Sequence, residues 1–135
     1  MIIADARDIH HVDAWYLSQK QESDMNNFKN CNSFNDVDSN GNPTGGFVKG
    51  TGLDIDWQNG PLGRDKDRIR PNGAFVETVI AAAKQRLEFY QDASNGKFAC
   101  RENAVAIAKI EEAMMWLDKR TKDREERQVE GTHTV

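Results

Sequence analysis

The chain has 135 residues, 30% charged and 38% hydrophobic, with a formal net charge of −4 at pH 7. This length suits a single core and is short for two. Duplex nucleic-acid binders usually carry a basic face, whereas Arg and Lys here alternate closely with Asp and Glu, so that class is disfavoured. A small anionic ligand, which needs only two or three well-placed cations, is compatible with this charge pattern.

The N-terminal part has no long apolar stretch. Residues 11–17 (HVDAWYL) are typical of a strand or a short helix. The opening MIIADARDIHH matches neither a signal peptide nor a membrane span, and we expect a cytosolic protein. His10 and His11 are adjacent and His133 is distant, so their spacing does not favour a metal site.

The next segment alternates turn chemistry with short strands. Residues 35–46 are turn-forming throughout, and strands are expected at residues 46–49 and 53–57, where LDIDW alternates apolar and acidic side chains. Residues 58–63 predict a turn and residues 64–70 a charged connector.

An EF-hand-like pattern lies within this turn chemistry. Asp36, Asp38 and Asn40 followed by Gly41 match the first half of a calcium loop, but the twelfth position is Phe47, where a bidentate Glu is required. We therefore expect a hairpin turn and no metal.

Two later segments carry the period of amphipathic helices. In the first, Asn72 is placed to cap the start, and in the second the pattern continues to about Arg127. Residues 92–97 break the helix between them, with Gly96 suited to a left-handed turn. The two stripes, apolar except for Asn103, are Val76, Ile80, Ala83, Leu87 and Tyr90, and then Asn103, Ile107, Ile110, Met114 and Leu117.

Two such stripes joined by a short loop predict an antiparallel helical hairpin. The expected class is α+β in a single domain over residues 1–135, with a small antiparallel sheet in residues 1–70 and the hairpin in residues 71–135. A two-helix hairpin has little core, so its second apolar flank must pack on the sheet or on another chain, and we expect oligomerisation through the hairpin. The candidates for that flank are Val79, Ala82, Phe89, Met115 and Trp116.

Catalysis has no positive support, because the chain lacks GxSxG, HExxH, Walker and dinucleotide motifs. No cofactor is expected. Cys31 and Cys100 form no CxxC motif and are expected to be reduced, partly buried thiols.

Arg120 and Arg124 share a helix face and can clamp a phosphate or pyrophosphate. Their spacing alone favours ordinary pairing with neighbouring carboxylates, namely Asp118, Asp123 and Glu125.

Seven short motifs follow one another between residues 57 and 135. They are QNGP (58–61), NG (72–73), RL (86–87), FACRENA (98–104), KRT (119–121), Arg124 and VEGT (129–132). Together they resemble the phage helical-hairpin sponge family, which comprises the Thoeris anti-defence protein one and the anti-CBASS protein two. The strand-like N-terminal half makes the chain more similar to the Thoeris branch.

The resemblance implies a non-enzymatic sponge that holds a cyclic nucleotide immune signal without cleaving it. The signal is glycocyclic ADP-ribose in the Thoeris branch and cyclic di- and trinucleotides in the CBASS branch. A homodimer or hexamer in the cytoplasm of an infected bacterium is implied, with no duplex nucleic acid or membrane as partner. The alternative is a phage protein that inhibits a host defence protein by direct docking.

The resemblance also implies the binding residues. The signal pocket takes an aromatic residue from the first helix, an Asn from FACREN, two arginines from the last helix and one arginine from before the hairpin, for which three candidates compete. These residues are Tyr90, Asn103, Arg120 and Arg124, with Arg64, Arg68 and Arg70 in competition. Tyr90 replaces the Phe of many members and still permits stacking on adenine. The VEGT turn is either a second, cyclic-oligonucleotide site or a helix stop, and its residues are Glu130, Gly131 and Thr132.

Helix geometry constrains such a pocket. Asn103 and Arg120 are 17 positions apart, which is about 25 Å along a helix axis. A compact nucleotide does not reach both residues on one chain. If both line one pocket, they come from different protomers, and the ligand lies at a dimer interface in two symmetry-related copies.

Overall fold

The structure, a computed structural model, describes residues 30–135. Its elements are β1 (Asn32–Val37), β2 (Pro43–Gly50), β3 (Leu53–Asp56), α1 (Val76–Gly96) and α2 (Arg101–Glu126), with a short 3-10 helix at Asp65–Asp67. A small antiparallel sheet is therefore followed by a helical hairpin, and the predicted α+β class is confirmed. The element predicted at residues 11–17 and the His10–His11 pair lie outside the described residues.

The described chain divides into two compact units. One contains residues 30–34 and 47–55, and the other contains residues 35–46 and 56–135. The organisation of residues 1–135 as a single domain stays a prediction. The second unit holds both helices and every candidate binding residue.

The three strands follow one another in the sheet in the order β1-β2-β3. The EF-hand-like sequence is the predicted hairpin turn: the Asp38 carboxylate accepts hydrogen bonds from the backbone N–H groups of Asn40 (2.8 Å) and Asn42 (3.0 Å). The Asn42 N–H is also the main reason why the pKa of Asp38 lies below its usual value. β3 matches its predicted strand, and β2 includes the strand predicted at residues 46–49. β2 also begins earlier, at Pro43, so both β1 and β2 lie partly in residues predicted as turn.

The segment before the hairpin is fastened to the end of β3. Trp57 and Ala74 form a parallel bridge, in which Gln58 N–H donates to the Ala74 carbonyl at 2.9 Å and Ala74 N–H donates to the Asp56 carbonyl at 2.7 Å. A Cβ on Gly73 would lie 2.5 Å from the Trp57 carbonyl carbon and oxygen. Only glycine permits this backbone approach.

The predicted helix cap at Asn72 is wrong. The N-cap of α1 is Phe75, which makes no side-chain capping bond. The Asn72 side chain instead accepts a hydrogen bond from Asn59 N–H (2.8 Å), while Asn72 N–H donates to the Gln58 side-chain carbonyl (2.8 Å). The QNGP and NG motifs therefore hold each other in place.

The predicted break between the helices is confirmed and involves more than Gly96. Inside α1, Ala93 is extended, and Ser94 and Asn95 are left-handed with φ of 52° and 58°, before Gly96 at φ 83°. Beyond the break, Cys100 is held by Gln91, whose side-chain amide donates to the Cys100 carbonyl (3.0 Å) and accepts from Cys100 N–H (2.9 Å).

Both cysteines are free, but the expectation that they are partly buried is wrong, because both thiols are exposed. Cys100 caps α2: its Sγ accepts a hydrogen bond from Asn103 N–H at 3.4 Å. A surface helix cap must contact its own first turn, and this keeps the thiol at the exposed end of the helix.

The helices pack through their apolar stripes, yet no side chain in residues 30–135 is buried. The half-buried stripe residues include Ile80, Leu87, Ile107, Ile110, Met114 and Leu117. The other members of the predicted first stripe are exposed, namely Val76, Ala83 and Tyr90. On the second flank, Phe89 is 48% exposed, Met115 70% and Trp116 63%. The hairpin thus carries an uncovered apolar flank. Across residues 30–135, neither helix combines the length and apolarity that a membrane crossing requires.

Candidate functional site

A groove of about 680 Å³ lies beside the C-terminal end of α2 and is lined entirely by the second unit. Its walls include side chains from the QNGP turn, from the charged connector and from the VEGT turn. Of the residues predicted to bind a ligand, those that line the groove are Arg68, Arg120, Arg124, Glu130, Gly131 and Thr132. Those that do not are Arg64, Arg70, Tyr90 and Asn103.

Arg124 supports the turn that follows α2. Its Nη1 donates to the Thr134 carbonyl (2.7 Å), and its Nη2 donates to the carbonyls of Val129 (3.1 Å) and Thr132 (3.0 Å). The guanidinium therefore shapes the groove wall and carries a positive charge that no carboxylate in residues 30–135 neutralises through an ion pair.

Arg120 is exposed and makes neither a hydrogen bond nor an ion pair within the described part of the chain. Two of the three carboxylates expected to neutralise it are engaged elsewhere: Asp118 pairs with Lys122 at 3.0 Å, and Asp123 pairs with Arg127 at 3.1 Å. Ordinary charge pairing thus holds for these two neighbouring cations. It leaves the Arg120 donors available to an anion in the groove.

Arg68 and Glu130 form a two-pronged ion pair that closes one side of the groove. The Arg68 Nη1 and Nη2 lie 2.8 and 3.2 Å from the two Glu130 oxygens. Arg64 donates to the Glu130 backbone carbonyl (3.1 Å), and Gly63 N–H donates to the Gly131 carbonyl (2.9 Å). We call these five residues the clasp. Hydrogen bonding to Arg68 lowers the pKa of Glu130, and the same contact raises the pKa of Arg68.

The VEGT turn is a helix stop. The backbone N–H groups of Val129 and Glu130 donate to the Arg124 carbonyl (3.0 and 3.2 Å), and the Thr132 hydroxyl donates to the Val129 carbonyl (2.5 Å). Gly131 is left-handed at φ 79°, as expected for a stop. A role of this turn in binding cyclic oligonucleotides stays a prediction.

Tyr90 and Asn103 each lie near the hairpin loop rather than at the groove. Tyr90 is 40% exposed on the last regular turn of α1. Asn103 is half-buried on the first turn of α2, and its side-chain amide makes no hydrogen bond within residues 30–135. Both side chains can therefore contact a ligand.

Sequence reasoning missed Arg86 at this end of the hairpin. Its Nε donates to the Tyr90 hydroxyl at 3.2 Å, and its guanidinium carbon lies 4.8 Å from the ring centres of both Phe89 and Tyr90. The three- and four-residue spacing was the available signal, because residues so spaced are neighbours on a helix.

One chain keeps the two sets of candidate residues apart. α2 is continuous from Arg101 to Glu126, so Asn103 and Arg120 remain about 25 Å apart along its axis. The assignment of both to one pocket stays a prediction.

The model of the protein family described as "Acb2/Tad1, hairpin domain" matches residues 49–122, which include β3, all of α1 and most of α2. The chain belongs to this family. It is also 56% identical over 62 residues to "Thoeris anti-defense 1" of Bacillus phage SBSphiJ7. That match covers 46% of this chain and 42% of the relative, so the chain aligns with less than half the relative's length.

Most, but not all, of the candidate binding residues lie within the range that the Acb2/Tad1 hairpin model matches. Tyr90, Asn103 and Arg120 lie within residues 49–122, as do the three competing arginines of the connector. Arg124 and the VEGT turn lie beyond the matched range. The groove of this family member is therefore built from both matched and unmatched segments.

Proposed function

We propose that this protein is a phage anti-defence protein that binds a nucleotide immune signal, glycocyclic ADP-ribose in the first place, without cleaving it. It would act in the cytoplasm of the infected host and keep the signal away from its effector. Membership of the Acb2/Tad1 hairpin family and similarity to a Thoeris anti-defense protein support the biological role. The observation that carries the chemistry is the Arg120 guanidinium, which lines the groove and makes no ion pair within residues 30–135.

Arg120 and Arg124 supply complementary features for a pyrophosphate. Arg120 offers all of its donors, whereas Arg124 is held in place by three backbone carbonyls and contributes its charge. Guanidinium groups bind phosphate oxygens through two parallel hydrogen bonds. A preordered cation also reduces the entropy lost on binding.

The complete pocket would combine two protomers. One supplies Tyr90 to stack on the base and Asn103 to hydrogen-bond the base or ribose, and the other supplies the arginine pair. The exposed apolar flank with Phe89, Met115 and Trp116 supports association of a second copy, because burying it removes apolar area from water. A homodimer is the smallest such assembly, and a hexamer made from three dimers is compatible with it.

A sponge needs tight equilibrium binding, and a nanomolar Kd corresponds to about 12 kcal/mol. Two phosphate clamps and one stacked base can supply a large part of this free energy. The VEGT turn lines the same groove, so we include cyclic di- and trinucleotides among the proposed ligands.

Native mass spectrometry with glycocyclic ADP-ribose, linear ADP-ribose and cyclic oligonucleotides tests the proposal. The expected result is an oligomer that carries ligand, with the ligand recovered at unchanged mass after denaturation. Recovery of a cleaved product would contradict sequestration and indicate an enzyme.

Arg120→Ala combined with Arg124→Ala should abolish binding while the oligomer persists. Lys119→Ala combined with Lys122→Ala is the matched control, since it removes the same charge from the same helix turns outside the groove.

A second candidate function is direct docking onto a host defence protein, which the large exposed apolar side chains Met115 and Trp116 favour. Protection of a phage in a Thoeris-positive host separates the two functions. The Arg120→Ala, Arg124→Ala variant should lose protection if the protein is a sponge. Full protection by that variant would favour docking.

A further inference from the structure

Arg86, Phe89 and Tyr90 form one exposed cluster on α1, which we call the cation–ring cluster. The two rings are 6.0 Å apart and inclined by 56°. The Arg86 guanidinium carbon lies 4.8 Å from each ring centre, and its Nε donates to the Tyr90 hydroxyl at 3.2 Å. One side chain thus contacts two aromatic rings and the polar end of one of them.

Arg86 contacts aromatic rings, whereas several other cations in the described chain form ion pairs. Arg68, Lys84, Lys122 and Arg127 each lie within ion-pair distance of a carboxylate. Arg86 has no such partner in residues 30–135, and its Nη groups make no hydrogen bond there. Its positive charge is directed at the rings, whose faces carry the negative part of the aromatic quadrupole.

These contacts contribute little to the stability of the fold. Phe89 is 48% exposed and Tyr90 is 40% exposed, so neither ring belongs to a core. A cation–π contact at an exposed site contributes about 0.5–1 kcal/mol. The larger consequence is orientation, because a guanidinium over the Tyr90 ring and a hydrogen bond to its hydroxyl together restrict the two torsions of that side chain.

We propose that Arg86 is a positioning residue for nucleotide binding: it holds the Tyr90 ring and covers one of its faces, so that a purine base stacks on the opposite face. This inference rests on the proposed function. The ligand class follows from the chemistry of the cluster, since a fixed, exposed ring with a cation behind it suits a flat, electron-rich heterocycle. In this proposal the phosphates of the ligand bind to Arg120 and Arg124 at the groove.

Titration calorimetry with glycocyclic ADP-ribose on wild type, Arg86→Gln, Tyr90→Phe and the double variant tests this role. Loss of the charge-assisted hydrogen bond and of the ring contact should weaken binding about tenfold in Arg86→Gln. Tyr90→Phe keeps the ring and should lose about threefold. In the Tyr90→Phe background, Arg86→Gln should cost clearly less than it does alone, because contacting residues are not additive.

Two variants separate positioning from loss of charge or of structure. Lys109→Gln removes one charge from an exposed site on α2, with the side chain 75% exposed, and should bind like wild type. Arg86→Lys keeps a cation beside the rings and should restore part of the affinity. Each variant is also checked for unchanged oligomer mass and thermal midpoint.

The outcomes distinguish this proposal from the proposed function. If wild type binds and the Arg120→Ala, Arg124→Ala variant does not, but Arg86→Gln binds normally, the positioning role alone is overturned. Additive effects of Arg86→Gln and Tyr90→Phe would overturn it too, as would a change in oligomer mass on Arg86→Gln. Failure of wild type to bind would overturn both proposals.

Discussion

The two ends of the hairpin are built in different ways. At the groove end, the candidate residues are tied to distant parts of the chain: Arg68 pairs with Glu130, and Arg124 holds the carbonyls of the following turn. At the loop end, Tyr90 is contacted by Arg86 of its own helix, and the Asn103 side chain makes no hydrogen bond within residues 30–135. The groove end is therefore organised by contacts between segments, whereas the contacts of Tyr90 at the loop end stay within one helix.

The same contrast exists inside the groove, between its two helix arginines. Arg124 makes three hydrogen bonds to backbone carbonyls, and Arg120 makes none within residues 30–135. Substitutions should therefore separate binding from stability even though the two residues lie one helix turn apart.

The largest expected effect is on affinity. Arg120→Ala should weaken binding of glycocyclic ADP-ribose about 100-fold, as expected for loss of a charge-assisted phosphate contact, with no change in thermal midpoint. Arg124→Ala should weaken binding similarly and also lower the free energy of unfolding by about 1–3 kcal/mol, because three carbonyls lose their donor. Calorimetry and thermal melts measure the two quantities. Equal free energies of unfolding for the two variants would contradict a structural role of Arg124 that Arg120 lacks.

A smaller effect concerns the clasp. Gly131→Ala should destabilise the protein by about 2–3 kcal/mol, because φ is +79° and the new Cβ would collide with the Gly63 carbonyl oxygen. Gly41→Ala is the matched control, with φ +80° and nothing within 4 Å of its Cβ, and should cost only about 1 kcal/mol. Urea unfolding measures both. If Gly131→Ala were no worse than its control, the clasp would not be a stable contact.

The smallest effect is on pH dependence. Arg68 lowers the pKa of Glu130 below its usual 4.5, so Glu130 contributes stability above that pH, and the contribution is lost as the pH falls through the lowered value. Wild type should therefore lose more stability than Glu130→Gln between about pH 5 and pH 2. Thermal melts across that range test it, and parallel curves for the two proteins would show that the ion pair contributes nothing.

The sequence predicted the features that depend on neighbouring residues. The two helices, the break at residues 92–97 and the Asp38 turn all follow from local patterns, and all three are confirmed. Arg86 was equally accessible, because its ring contacts follow helix spacing.

The remaining features depend on residues far apart in the chain. β1 consists largely of polar residues, and its strand conformation depends on pairing with β2 rather than on its own propensity. Asn72 was assigned to a helix cap because its partners Gln58 and Asn59 are 14 and 13 positions away. Glu130 and Arg68 are separated by 62 positions, and no local pattern predicts their pairing. The order of the motifs identified the family, but the contacts that form the clasp are visible only in the folded chain.

A mixing experiment tests most directly whether the two ends of different hairpins form one pocket. Tyr90→Ala and Arg120→Ala chains, each impaired alone, are co-refolded, and native mass spectrometry counts glycocyclic ADP-ribose on each dimer unit. In a mixed pair, one pocket regains Tyr90 from one chain and Arg120 from the other, while the second pocket lacks both. We predict one bound ligand per mixed dimer unit and none on either parent at the same concentration. Mixed dimers without ligand, beside wild-type dimers that bind it, would contradict a pocket shared between protomers.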